Sequence, residues 1–377
     1  MIVAAWIIGI ALIAVVLWDA FETIVLPRRV TRRWRLTRMF YRSTWRPWRR
    51  LSHSMRPKVR ERFLSFYGPL SLLALLAVWA LTLVFAFAFL DFAANSVLPS
   101  SQAGSFWASL YLSGTTLFTL GIGDIVPHTT VGRFLTVFEA GTGLGFLALV
   151  MGYFPVLYQS FSRREVQISL LDARAGSPPS ASEMLRRHTY DHGHEALRDL
   201  LKDWERWSAE LMESHLSYPV LCYFRSQHDN ESWLSALACI LDVSAAVIVG
   251  IDGACRKQAE LTFAIARHAL VDLSQVMANP PTPPKEDRLP PEQLKRLRSM
   301  LGSKGMRLHD GAEADHKLTE LRAMYEPYLN SLGTYLYMST PEWVREERLD
   351  NWQTSAWGRI SGALAVEAEQ VRHDDHY

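Results

Sequence analysis

The stretch 115–127, TTLFTLGIGDIVP, decides how the chain is read. It lies in a long apolar region, carries one acid and no basic residue, and sets two glycines around a single isoleucine with an aspartate directly behind. Glycine removes the steric bar to positive φ, and alternating glycines let successive carbonyl groups turn to one side. Irregular backbone is excluded from lipid unless it is buried in protein or lines a water-filled path. The stretch is therefore expected to dip into a membrane and return as a carbonyl-lined passage.

The surroundings agree with that expectation. Three uncharged runs, 1–18, 63–90 and 140–162, come near the roughly 20 residues of a bilayer-spanning helix, and the third extends back past Glu139 to Phe134. A fourth stretch, 92–123, is broken by Asn95, Pro99, Ser100, Ser101 and four glycines, Gly104, Gly114, Gly121 and Gly123, and suits no continuous span. Run 1–18 lacks a basic n-region and a small-residue cleavage site, so a retained span is expected. The 377 residues hold 40 Lys and Arg against 38 Asp and Glu, a net charge of +2 that hides a strong asymmetry. Segment 28–62 has thirteen Arg and one Lys against Glu61 alone, which assigns it to the cytoplasm. The N-terminus is then outside, the loop 91–127 faces outside, and the third span runs inward to the basic pair Arg163 and Arg164. That describes a multi-pass protein of the cell (inner) membrane with a cytoplasmic C-terminal domain. Cys222, Cys239 and Cys255 all follow the third span and read as free thiols.

Ser105 can cap a short helix over 106–118, entering from outside with its negative end toward the bilayer centre, where it favours a cation. The backbone then returns through Thr119, Leu120, Gly121, Ile122, Gly123 and Asp124, with Leu120 and Ile122 expected to point into the packing behind. One chain offers too few oxygens to replace a hydration shell, so several chains must close around an axis.

On these residues the segment resembles the pore helix and selectivity filter of the potassium channel superfamily, whose usual filter reads T-V-G-Y-G-D with a proline shortly after. Thr119, Gly121, Gly123, Asp124 and Pro127 match, as does Gly132-Arg133 at the start of the inner helix. The resemblance covers 63–159 and leaves out the first span and the C-terminal half. It implies a homotetramer with Thr119, Leu120, Gly121 and Ile122 as ion ligands and Asp124 at the outer mouth. Leu120 in place of Val is a mild departure. Ile122 replaces an aromatic that hydrogen-bonds into its surroundings, so apolar bracing on Trp107 or Tyr111 is expected instead.

The third span supplies further candidates. By the resemblance, Gly143 is the hinge glycine of the pore-lining helix, flanked by Gly141 and Gly145; small residues also serve close helix packing. Pro155 kinks a helix by removing a hydrogen bond, so Phe154, Pro155 and Leu157 are gate candidates. Glu139 is an ionisable group inside a span, and such residues are costly and by default functional. It is expected behind the filter, bonded to Thr115, Thr116 or a filter amide.

In 28–62, Arg35, Arg38, Arg42, Arg46 and Arg49 recur at helical spacing among Trp34, Tyr41, Trp45 and Trp48. Pro47 and the missing sensor helices argue against a voltage sensor, and the place between two spans argues against nucleic acid. An interfacial helix on anionic lipid is expected. The segment plan is 1–26 first span, 27–62 basic segment, 63–162 pore domain, 163–182 linker, and 183–377 helical domain with a Pro-rich hinge near 279–291. Ser180 and Glu183 form a capping box. Run 233–251 is apolar but holds Asp242 and Ser244, and is read as a buried core helix. Helices are expected at 292–306, 312–332 and 352–371. His188 and His192 could share a helix face near His194 as a metal site, although a solvated polar face is favoured. The fold class is an all-α membrane protein: a helix–P-loop–helix tetrameric pore, an extra N-terminal span and an α-helical cytoplasmic domain. The function read from it is a potassium-selective cation channel, not an enzyme, with no cofactor and no metal beyond permeant K+, gated through an unidentified cytoplasmic ligand or other stimulus. A non-selective monovalent cation channel and a non-conducting receptor or scaffold are the alternatives.

Overall fold

The computed structural model describes residues 2–26, 35–96, 105–226, 231–251 and 255–345. Expected features at 28–34 and the helix at 352–371 lie outside these residues. The described chain is helical, and its one bridge between extended residues joins Ile251 to Leu308.

The membrane part begins with α1 (Ile2–Ala20), continued by a π-helical turn Phe21–Val25. A basic helix α2 (Leu36–Ser52) and a short α3 (Pro57–Ser65) follow, then α4 (Tyr67–Ala93), α5 (Phe106–Leu117) and α6 (Thr130–Ala175). α1 lies along α4. Gly9 makes the closest approach, since a Cβ there would stand 2.8 Å from the Ala86 carbonyl oxygen. This is how small residues let helices meet without a hydrophobic drive between them.

Four described helical segments are long and apolar enough to cross a membrane: Ile2–Val25, Pro57–Ala93, Thr130–Ala175 and Trp233–Gly250. The last has 94% of its apolar window buried inside the chain, against 22%, 56% and 17% for the others. It is the central helix of the C-terminal domain, as Asp242 and Ser244 suggested, and the other three remain as spans.

α6 is longer than expected. Its 46 residues make a rod of about 69 Å, more than twice a hydrocarbon core of about 30 Å. The expected linker at 163–182 is helical to Ala175, because Ile168, Leu171 and Ala175 find a buried face in the C-terminal domain. That domain comprises α7 (Ala181–Arg187), α8 (Gly193–Ser217), the central α9 (Trp233–Gly250), α10 (Arg256–Val276), α11 (Pro291–Gly302), α12 (Ala312–Ala323) and α13 (Glu326–Leu336). The Ser180 hydroxyl caps α7 by accepting the Glu183 amide. The helix expected over 312–332 is two helices, broken before Pro327.

The Pro-rich segment near 279–291 is pinned and does not form a free hinge. Ser331 donates to the Pro280 carbonyl at 2.6 Å, and the Asn330 amide donates to the Thr282 and Pro283 carbonyls. Arg288 reaches from this segment to Asp242, buried in α9, at 2.6 Å, and to Glu326 at 3.3 Å. Tyr325 donates to the same Asp242 at 2.5 Å. Removing one partner of a buried ion pair costs roughly 3–5 kcal/mol. Arg288→Ala is expected to lower the thermal midpoint of the detergent-solubilised protein strongly, with Lys285→Ala, exposed on the same segment, as the neutral control.

Arg164 fastens α6 to the domain. It is buried and donates to the Leu221 carbonyl at 3.0 Å and the Phe224 carbonyl at 2.9 Å, and it pairs with Glu165 at 2.8 Å. Its Nη1 also meets His215 Nε2 at 3.1 Å. Burial first, and the adjacent guanidinium second, hold the His215 imidazole well below its ordinary value of 6.5. The folded protein therefore takes up this proton less readily than the unfolded chain. Stability from this group is complete above about pH 6.5 and falls by about 1.4 kcal/mol per pH unit below it. A thermal-midpoint series from pH 7.5 to 5 is expected to show that slope, and His215→Gln is expected to flatten it.

Candidate functional site

The short helix α5 stands between α4 and α6. Ser105 starts it by accepting the Trp107 amide at 3.2 Å, as the sequence suggested. Its C-terminal carbonyls do not end in empty space. Gly114 accepts the Phe118 amide, Thr116 accepts the Thr119 amide at 3.0 Å, and Thr115 accepts the Leu120 amide at 2.8 Å and the Gly121 amide at 3.3 Å. The extended run that follows is thus hung from the end of α5. Thr115 and Thr116 act through their backbone carbonyls, while the Thr115 hydroxyl donates within its own helix to Leu112 at 2.9 Å.

Along the run, φ is positive at Thr119 (57°), Gly121 (58°) and Gly123 (83°). Glycine tolerates this at 121 and 123, whereas the β-branched Thr119 is held there by its bond to Thr116. Residues 118–124 are all exposed on the single chain. Leu120 and Ile122 were expected to point into packing behind the strand, yet they are 64% and 60% exposed, so this chain alone supplies no such packing. Asp124 accepts the Ile125 amide at 3.0 Å and lies beside the Tyr111 hydroxyl, which takes Tyr111 away from the expected bracing of Ile122. Trp107 is 73% exposed and also braces nothing within the chain.

Glu139 is fully buried behind α5. Its partner is Ser113, whose hydroxyl donates at 2.5 Å and also lies 2.8 Å from the Val84 carbonyl of α4. Of the partners expected from sequence, the Thr115 hydroxyl and the Thr119, Leu120 and Gly121 amides have other bonds. Glu139 therefore braces α5 from behind and leaves the strand itself alone. A second buried acid, Asp91 on α4, interacts with it electrostatically. Neither Ser113 nor Asp91 was singled out from sequence. The usable signal was their spacing: an acid late in an apolar span, and a serine in the one short helix facing Glu139.

On α6, Gly143 presses against α5. A Cβ at Gly143 would lie 2.2 Å from the Leu117 carbonyl oxygen, whereas Gly141 and Gly145 face open space. Of the gate candidates, Pro155 is exposed, Phe154 is half-buried and Leu157 is buried with Tyr153 on the face toward the rest of the chain. The helix runs through Pro155 without a break.

Metal ligation at His188, His192 and His194 finds no support. His188 ends α7, where its Nδ1 lies 2.7 Å from the Met184 carbonyl, and His192 opens α8 from a left-handed conformation, so the two share no helix face. No group of three metal-ligating side chains occurs among the described residues.

A family model described as ion channel matches residues 75–159. The rat protein called potassium channel subfamily U member 1 is 39% identical over 66 residues, which cover 18% of this chain and 6% of that protein. Its mouse counterpart matches with the same identity and coverage. The chain thus spans only a small fraction of the length of these curated relatives. No solved structure matches.

Overpacking a tight site costs roughly 1–3 kcal/mol. Gly143→Ala is expected to push the end of α5 and the strand hung from it, with a matching loss of thermal midpoint and a changed cation flux in proteoliposomes. Gly141→Ala and Gly145→Ala are expected to leave both closer to wild type.

Proposed function

We propose, from the premise that residues 75–159 form a pore unit of the potassium channel superfamily, that this protein is a homotetrameric, potassium-selective cation channel. One observation carries the reading: the run Thr119–Leu120–Gly121–Ile122–Gly123–Asp124 hangs from the carbonyl end of α5 with positive φ at every second residue. Alternating backbone handedness can bring carbonyl groups to one axis, where they replace the hydration shell of a cation. The carbonyl end of α5 adds a favourable field at the inner end of that row. The exposure of residues 118–124 supports the oligomer, because this non-helical backbone cannot face lipid and a neighbouring chain has to enclose it.

Flux is passive and runs down the electrochemical gradient. Glu139 and Ser113 keep α5 in place, Thr115 and Thr116 hold the filter amides, and Gly143 sets the distance between α5 and α6. Phe154 and Pro155, near the middle of α6, are the gating candidates that remain. The N-terminus lies outside and the C-terminal domain in the cytoplasm, by the basic residues of 28–62 and at Arg163 and Arg164. Anionic lipid faces the exposed arginines of α2, among them Arg42, Arg46 and Arg50. Tyr41 and Trp45 of the same helix pack against Tyr223 in the C-terminal domain, so these aromatics join two parts of the chain and do not anchor it in lipid.

Ile122 favours a second reading, a non-selective monovalent cation channel, since it cannot make the hydrogen bond of the aromatic that usually stands there. Flux from proteoliposomes under potassium and sodium gradients separates the two. Potassium-selective flux, abolished in Gly121→Ala, is the expected result, because a Cβ at φ 58° strains the filter backbone. Equal flux of both ions would establish the second reading. A Gly121→Ala protein that conducts like wild type would overturn both.

A further inference from the structure

A cavity of about 410 Å³ opens where the end of α1, α2, α4 and α6 meet the C-terminal domain. Its volume falls in the range of small-molecule sites. Three arginines, Arg35, Arg38 and Arg42, face it against one acid, Glu22. Arg35 is committed to Glu22 at 3.3 Å and to Asp19 at 3.9 Å. The Asp19 Oδ2 accepts the Thr37 hydroxyl and amide and the Trp79 indole. Arg38 and Arg42 have no acidic partner among the described residues, so the wall carries two uncompensated positive charges.

Tyr41 also lines this space, but its hydroxyl is shielded from the cavity. The Ser71 hydroxyl beside it donates to the Gly68 carbonyl at 2.9 Å. The remaining wall is apolar, with Leu72 and Leu75 from α4 and Val220 from the C-terminal domain.

We propose that this cavity binds an anionic amphiphile: a phosphate or carboxylate group held by Arg38 and Arg42, on an apolar body that packs against Leu72, Leu75 and Val220. Paired guanidinium groups suit such oxyanions, and charge-assisted hydrogen bonds are the strong ones. Tyr153, near the middle of α6, forms part of the wall opposite Gln275 and Met277 of the C-terminal domain. An occupant therefore touches the long helix and the domain together, which is where a ligand could bias the position of α6. The site does not depend on ion conduction, and its test reads binding alone.

The full chain in uncharged detergent micelles is titrated with two probes, dioctanoyl phosphatidic acid and phenyl phosphate, by calorimetry and by thermal midpoint. Saturable binding of at least one probe is expected, weakened about tenfold or more in Arg38→Gln and in Arg42→Gln. Lys304→Gln, exposed in the C-terminal domain and away from the cavity, is expected to bind as wild type does. Binding of the lipid alone would identify the bilayer as the source of the ligand, and equal binding of phenyl phosphate would identify a soluble metabolite. Absence of saturable binding by either probe would overturn the proposal. So would a loss as large in Lys304→Gln as in Arg38→Gln, which would mean attraction to surface charge only.

Discussion

Backbone amides cannot be left bare in hydrocarbon, and the pore segment is organised around that constraint. A continuous helix meets it for α1, α4 and the first half of α6. The run after α5 leaves the helical ladder, so it needs acceptors from elsewhere. The last turn of α5 has free carbonyls because helices end with unsatisfied groups. Thr115 and Thr116 offer these carbonyls to Thr119, Leu120 and Gly121, which meets both needs at the start of the run. The position of the run then depends on the position of α5. Two contacts fix α5 from behind: the Glu139–Ser113 hydrogen bond, and the bare Cα of Gly143 under the Leu117 carbonyl.

A rod of about 69 Å changes what the C-terminal domain can do. A linker would let the domain move independently, whereas a continuous helix carries any tilt or rotation of the domain into the membrane segment. Arg164 makes that joint stiff, since four of its contacts lie in a buried space where unpaired charge is expensive. A second joint lies near α2, where Trp45 donates to the Tyr335 carbonyl at 3.0 Å and Arg225 pairs with Glu61 at 2.8 Å. The membrane part and the domain are therefore clamped at two joints.

The pore segment was legible in the sequence because its chemistry is local. The cap at Ser105, the glycine alternation at 121 and 123, and the uncharged runs around them each depend on neighbours a few residues away. The central helix α9 was legible for a similar reason, since Asp242 and Ser244 do not suit lipid. Non-local features were misread. The Pro-rich run 279–291 has the composition of a hinge, but Arg288 finds Asp242 across 46 positions and fixes it. Segment 163–182 has the charge of a linker, but Ile168 and Leu171 meet a hydrophobic face formed by later residues. Nothing in the sequence signals that Tyr41 and Trp45 of α2 pack on Tyr223 and Tyr335, which come much later in the chain.

Gly143 shows why a motif and a contact are different kinds of information. In the sequence it is a glycine in the middle of a span, which suggests bending freedom. In the structure it is a glycine with a carbonyl oxygen where a side chain would be, which explains the residue without any bending. The two uses place different demands on the helix. Bending needs a weak point, while close packing needs α6 to stay straight beside α5 so that the gap remains small. The unbroken course of α6 through Gly143 and Pro155 agrees with the packing use. A movement of α6 relative to α5 would then have to slide or tilt the whole rod, and the Leu117 carbonyl above Gly143 would register it at once. The end of α5 holds the amides of Thr119, Leu120 and Gly121, so displacement of the rod reaches the candidate filter through a single layer of backbone.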